Sequence, residues 1–169
     1  MPQDRTHTRK GDTIKKFGAV NDPYLSEEGL KKSMCRVCHL VYQKKRWVRN
    51  ENNPNDQSIQ LTLCPACQKI KDHYPEGYLT LKGGEYLDQH KDEIFQIIRN
   101  EASRVEMKNP LRRIIDFKKE DDTWLITTTD EKLVQHLARE IHKAHSGKVE
   151  YHFGQQNKIA RVYWSRDEG

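Results

Sequence analysis

The chain has 169 residues, enough for one ordinary domain or two small ones. Apolar residues make up 34% and charged residues 33%, so the core must be modest and part of the chain is expected to stay unfolded. The net charge of +5 is uneven: residues 1–49 hold twelve Lys/Arg against five Asp/Glu, and residues 50–169 eighteen against twenty, which points the front half toward an anionic partner, nucleic acid first.

The opening "MPQDRTHTRKGDTIKKFGAV" lacks the apolar stretch of a secretory signal, and Asp4 and Asp12 argue against a transit peptide. No segment nears the roughly 20 apolar residues that span a membrane. A cytoplasmic protein with no membrane partner is expected. Residues 1–33 read as a basic arm, largely disordered, carrying Arg5, Arg9, Lys10, Lys15 and Lys16. "DPYLSEEGLKKS" predicts a short helix leading out of it.

All four cysteines fall in two identical spacings, "CRVC" (Cys35, Cys38) and "CPAC" (Cys64, Cys67), with 25 residues between the pairs. Each C-x2-C turn offers two sulfurs to one ion, and the intervening loop folds the second pair back to complete a tetrahedral cage. The reducing cytosol disfavours two structural disulfides. The pattern therefore predicts one structural Zn2+; iron is the main metal alternative, and a redox-sensing pair the remaining one. His39 and His73 lie beside the knuckles, but four thiolates close the site. With no open position there is no metal-activated water.

Between the pairs, Leu40, Tyr42 and Trp47 predict one strand, "NENNPND" a turn or exposed loop, and "SIQLTL" the returning strand of a hairpin. Residues 34–82 are read as a zinc ribbon and 83–169 as an α+β domain. Tyr78, Thr80 and Lys82 alternate with Leu79 and Leu81, which predicts a strand over 77–82 ended by Gly83-Gly84. A helix follows in "YLDQHKDEIFQIIRNEASRVEMKN", with Leu87, Ile94, Ile97, Ile98, Ala102 and Val105 on one face and Asn109-Pro110 as its stop. "RRIIDF" and "TWLITT" form a hairpin around "KKEDD". Thr128, Thr129 or Asp130 caps a second helix striped by Leu133, Val134, Leu137, Ala138 and Ile141 and ended at Gly147. "KVEYHF" and "IARVYW" are the last two strands. After the ribbon the order is β-α-β-β-α-β-β: an α+β fold with its helices on one face of a mainly antiparallel sheet.

Catalytic chemistry is not apparent. The sequence has no G-x-S-x-G, P-loop or H-E-x-x-H and no nucleophile–base set, so neither an enzyme nor a small-molecule substrate is expected. His142 and His145 stand three apart on one helix and have metal-ligand spacing, but a solvated helix end, where the dipole favours protonated histidine, is the preferred reading.

The remaining signal is the basic aromatic run. Lys44, Lys45, Arg46 and Arg49 surround Trp47 and Tyr42, and Arg36, Lys69 and Lys71 flank the knuckles. Cations neutralise phosphates, and an exposed Trp or Tyr face stacks on unpaired bases. Trp47 is read here as a plug of the ribbon; the charges are read as RNA-binding. With no recognition helix in view, RNA is preferred to duplex DNA. A protein-interaction or redox-responsive zinc adaptor without nucleic acid is the alternative.

"CPAC" followed by "QKIKDHYPEGYLTLKG" resembles the N-terminal part of the archaeal and eukaryotic adaptor family for nuclear export of the large ribosomal subunit. Tyr74, Glu76, Tyr78, Leu81 and Lys82 occupy the matching places, and the element order agrees over about residues 35–165. That family has more cysteines and further domains, so the export role does not transfer to a chain with one cage. The runs "HKDEIFQIIRNEASRVEMKNPLRRI" and "TWLITTTDEKLVQHLAREI", with "RVYW", resemble more closely a small, mainly bacterial family of four-cysteine proteins. Together the resemblances imply a zinc protein that binds the ribosome, its RNA or ribosomal proteins, in subunit assembly, quality control or the hibernation of idle ribosomes.

Overall fold

A computed structural model of the chain describes residues 32–49 and 59–167. The basic arm with Arg5, Arg9, Lys10, Lys15 and Lys16, most of the short helix expected before Cys35, and the loop at 50–56 lie outside the described residues.

Four short strands build the first sheet: β1 (Ser33–Cys35), β2 (Val41–Gln43), β3 (Arg46–Val48) and β4 (Gln60–Thr62), in the order β3-β2-β1-β4. Two expectations are corrected here. The segment expected to be one strand through Trp47 is broken at Lys44-Lys45, where a two-residue turn joins β2 to β3 and sets Gln43 opposite Arg46. The returning strand does not close a hairpin with it either: β4 lies parallel to β1, with Cys35 opposite Thr62. The reason is geometric. The first cysteine pair itself turns the chain from β1 into β2, and the second pair follows the end of β4. Only a parallel β1–β4 pairing brings both pairs to the same end of the sheet.

The helix α1 (Pro65–Lys71) then starts within the second knuckle and was not expected. The Cys64 sulfur caps it by accepting from the Cys67 amide, and Pro65 takes the first helical position, where its missing N–H costs nothing. Pro65 after a potential cap, with Lys69 and Lys71 in the last turn, was the available signal.

The second sheet contains β5 (Gly77–Lys82), β6 (Ile114–Glu120), β7 (Thr123–Thr128), β8 (Lys148–Phe153) and β9 (Ala160–Ser165), in the order β6-β7-β5-β9-β8. Only the β5–β9 pairing is parallel. The helices α2 (Gly84–Lys108) and α3 (Glu131–His145) pack on one face, so the α+β architecture is as read. β5 is the central strand of this sheet; the ribbon therefore ends before it, not at residue 82.

Alternation explains the core. Leu79 and Leu81 of β5, Ile126 of β7, and Val162 and Trp164 of β9 meet the helices with almost no exposure. The α3 stripe of Leu133, Val134, Leu137, Ala138 and Ile141 is at most 1% exposed, and each such aliphatic side chain contributes about 1.5–3 kcal/mol for Val, Leu or Ile. Asp130 caps α3 by accepting from the amides of Lys132 and Leu133. Gly77 is required where β5 passes the start of α3: a Cβ there would sit 2.2 Å from Thr128 Oγ1 and 2.8 Å from Val134 Cγ1. Among the described residues no helix is long and apolar enough to cross a membrane.

Candidate metal centre

The turn after β1 and the turn into α1 place the sulfurs of Cys35, Cys38, Cys64 and Cys67 within 4.8 Å of one another. The four cysteines are free thiols, and Cys38 Sγ stands 3.6 Å from Cys64 Sγ, too far for a disulfide. Tetrahedral thiolates around a metal such as zinc, at about 2.3 Å, are spaced by roughly 3.8 Å, so four sulfurs this close could hold one metal ion. Cys35, Cys64 and Cys67 are buried and Cys38 half-buried. Behind the sulfurs lie Leu40, Tyr42, Trp47 and Ala66, with Leu63 and Leu111 against them. Trp47 packs on Tyr42, ring centroids 5.4 Å apart, and is a plug of the ribbon rather than an exposed stacking surface.

The sulfurs of Cys35, Cys64 and Cys67 differ in how readily they give up a proton. Burial pushes the thiols of Cys64 and Cys67 up; the charges of neighbouring sulfurs add to this, while Arg113 opposes it at Cys67. At Cys35 burial is outweighed by the amides of Cys38, Cys64 and Val37, which bring its thiol down to about 6. Four thiolates this close repel one another, and a cation bound among them removes the conflict.

Sequence reasoning missed Arg113. Its guanidinium donates to Cys67 Sγ and Cys38 Sγ at 3.3 Å each and reaches Cys64 Sγ at 3.9 Å. Burial weakens the guanidinium's hold on its proton, but the sulfurs of Cys38 and Cys67 more than restore it, so Arg113 is held firmly protonated. Its backbone is anchored through Thr129, whose hydroxyl accepts from the Arg113 amide at 2.9 Å and donates to Leu111 O at 2.6 Å. Arg113 Nε also donates to Pro110 O at 2.8 Å. Nothing in "PLRRII" marks one arginine for the cage, because the partners are 46 and 75 positions away.

The cations expected to bind RNA divide into two groups. Arg36, Lys44, Lys45, Arg46 and Lys71 are exposed on the ribbon. Lys69 is not: it is 6% exposed, pairs with buried Glu76 at 2.8 Å and donates to Thr129 O at 3.1 Å. Its place in an RNA surface is therefore withdrawn. Arg49 is exposed but donates to Met107 O at 2.9 Å and Glu106 O at 3.1 Å, capping the end of α2. Lys69, Arg49 and Arg113 thus fasten the ribbon to the second sheet and its helices. His39 and His73 are exposed at left-handed turn positions. The expected solvated pair on α3 is also corrected: His142 is exposed, but His145 is buried and bonds to Tyr86 of α2.

Fold and site together define a mixed α+β protein with a cluster of four cysteines that could hold a metal ion. Comparison with protein-family models, with curated proteins and with solved structures found no match to this chain.

Proposed function

We propose that this chain is an RNA-binding protein built around a structural Zn2+, associating with the ribosome or ribosomal RNA through its ribbon and the basic arm before it. The observation that carries the reading is the turn between β2 and β3. A two-residue turn with both φ angles positive is made cheaply by Asn-Gly, yet here it is Lys44-Lys45, at φ 50 and 61. Two long cations in left-handed conformations cost stability, and such strain is retained where function uses it. Arg46 stands next to them on β3, and the aromatic pair Tyr42–Trp47 is packed behind. A tip of this kind offers positive charge and no stacking face, so it addresses phosphates rather than bases. Arg36 and Lys71 extend the charge toward the knuckles. Zinc is favoured over iron because a closed cage with four protein thiolates suits a redox-inert ion whose role is to hold the ribbon folded. The ribosome enters through the resemblance of residues 35–165 to the export-adaptor family.

The test is co-sedimentation with ribosomes over a salt series. Replacing Lys44, Lys45 and Arg46 by Gln is expected to weaken association and to lower the log–log salt slope by about 0.7–0.9 for each phosphate no longer neutralised. Unchanged binding and slope in a folded, metal-loaded variant would count against the proposal.

A further inference from the structure

A second cluster of metal-binding side chains lies between α2 and α3, away from the cysteines. His90 and Glu93 stand three apart on α2, and His145 ends α3; one donor atom from each lies within 4.8 Å of the others. Glu93 Oε2 is 3.6 Å from His90 Nδ1 and 3.9 Å from His145 Nε2. These separations are too long for hydrogen bonds, and His90 Nδ1 is buried with no hydrogen-bond partner. They suit donors that share an ion, since ligands at about 2.0–2.2 Å from one metal stand some 3–4 Å apart. His145 is already oriented: Nδ1 is hydrogen-bonded to Tyr86 Oη at 2.8 Å, which leaves Nε2 as the ligating atom. The Tyr86 ring stacks on His90 at 4.2 Å and fixes the second imidazole.

We propose that His90, Glu93 and His145 form a second metal site, for a divalent transition ion of imidazole and carboxylate preference. Unlike the cysteine cage, it supplies three protein donors and leaves the next position to water, because the Glu93 side chain is 70% exposed. The carbonyl end of α3 favours a cation beside His145. Arg166 opposes one: its guanidinium lies 3.9 Å over the Tyr86 ring and bonds His145 O. The Glu93 charge is therefore the donor the site can least lose, and binding is expected to be weaker and more readily exchanged than at the cage.

The experiment titrates Co2+ into the full chain after its cysteine cage has been filled with Zn2+. One further equivalent is expected, with weak visible bands and no sulfur-to-cobalt charge transfer; thiolate bands would report the cage instead. In Glu93→Gln and His90→Gln the affinity for this equivalent should fall at least tenfold, while His142→Gln keeps it. In wild-type protein, Zn2+ should shift the imidazole resonances of His90 and His145 and leave those of His136 unmoved, a readout independent of how well any variant folds. No second equivalent in wild-type protein, or one that survives both ligand substitutions, overturns the proposal.

Discussion

The guanidinium of Arg113 donates to the Cys38 sulfur across 3.3 Å, although 75 positions separate them in the chain. A Zn2+ bound by four thiolates carries a net charge of about −2, and a fixed arginine offsets half of it in a partly buried setting. Arg113→Ala is expected to speed zinc loss to a chelator and weaken affinity about 10–100-fold, as losses of outer-sphere partners do. Arg113→Lys keeps the charge without the fork and should fall between. Equal zinc retention in all three proteins would assign Arg113 to packing alone.

The β2–β3 turn sets stability against binding. Lys44→Asn with Lys45→Gly relieves two left-handed lysines and is expected to stabilise the ribbon by about 1 kcal/mol, read as protection from amide exchange in β2 and β3. The same change should weaken ribosome association at moderate salt. If it stabilises the ribbon and leaves association intact, the lysines are there for another reason.

Lys69 and Glu76 form a buried pair that joins α1 to the segment before β5. Removing one partner leaves the other charge buried, so Lys69→Met should cost about 3–5 kcal/mol. Lys69→Met combined with Glu76→Gln should recover part of that. Denaturant midpoints measure both, and salt-dependent RNA association per folded molecule should not change in either.

Glu131, at the start of α3, is 1% exposed, and its Oε2 has no hydrogen-bond partner. Burial, and next the charge of Asp130, raise its carboxyl above the ordinary value, against the pull of its own amide, Lys158 and Lys132. A raised folded value means tighter proton binding in the folded state. Its contribution is thus fully present below the unfolded value of about 4.3 and is lost as pH rises through the folded value. Glu131→Gln removes that loss. Its urea midpoint should match wild type near about pH 4 and exceed it at about pH 8; a difference that does not change with pH contradicts this account.

The clustering of the four cysteines and most of the second fold unit were legible along the chain. Each Cys-x2-Cys pair is a local turn that presents its own two sulfurs together, and the stripes of α2 and α3 and the alternation of β5 and β9 record which side of each element is buried. Those are properties of single elements, and periodicity reports them. Tertiary structure alone decided what each cation does. Arg36, Lys44 and Lys45 face solvent, while Lys69, Arg49 and Arg113 turn to Glu76, the α2 carbonyls and the cage. The parallel β1–β4 pairing and the meeting of His90 with His145 were decided in the same way. A charged side chain carries no periodic mark of its partner. The partner is set by which elements the packed core brings together, and a basic run therefore reads alike whether it binds a ligand or holds the fold.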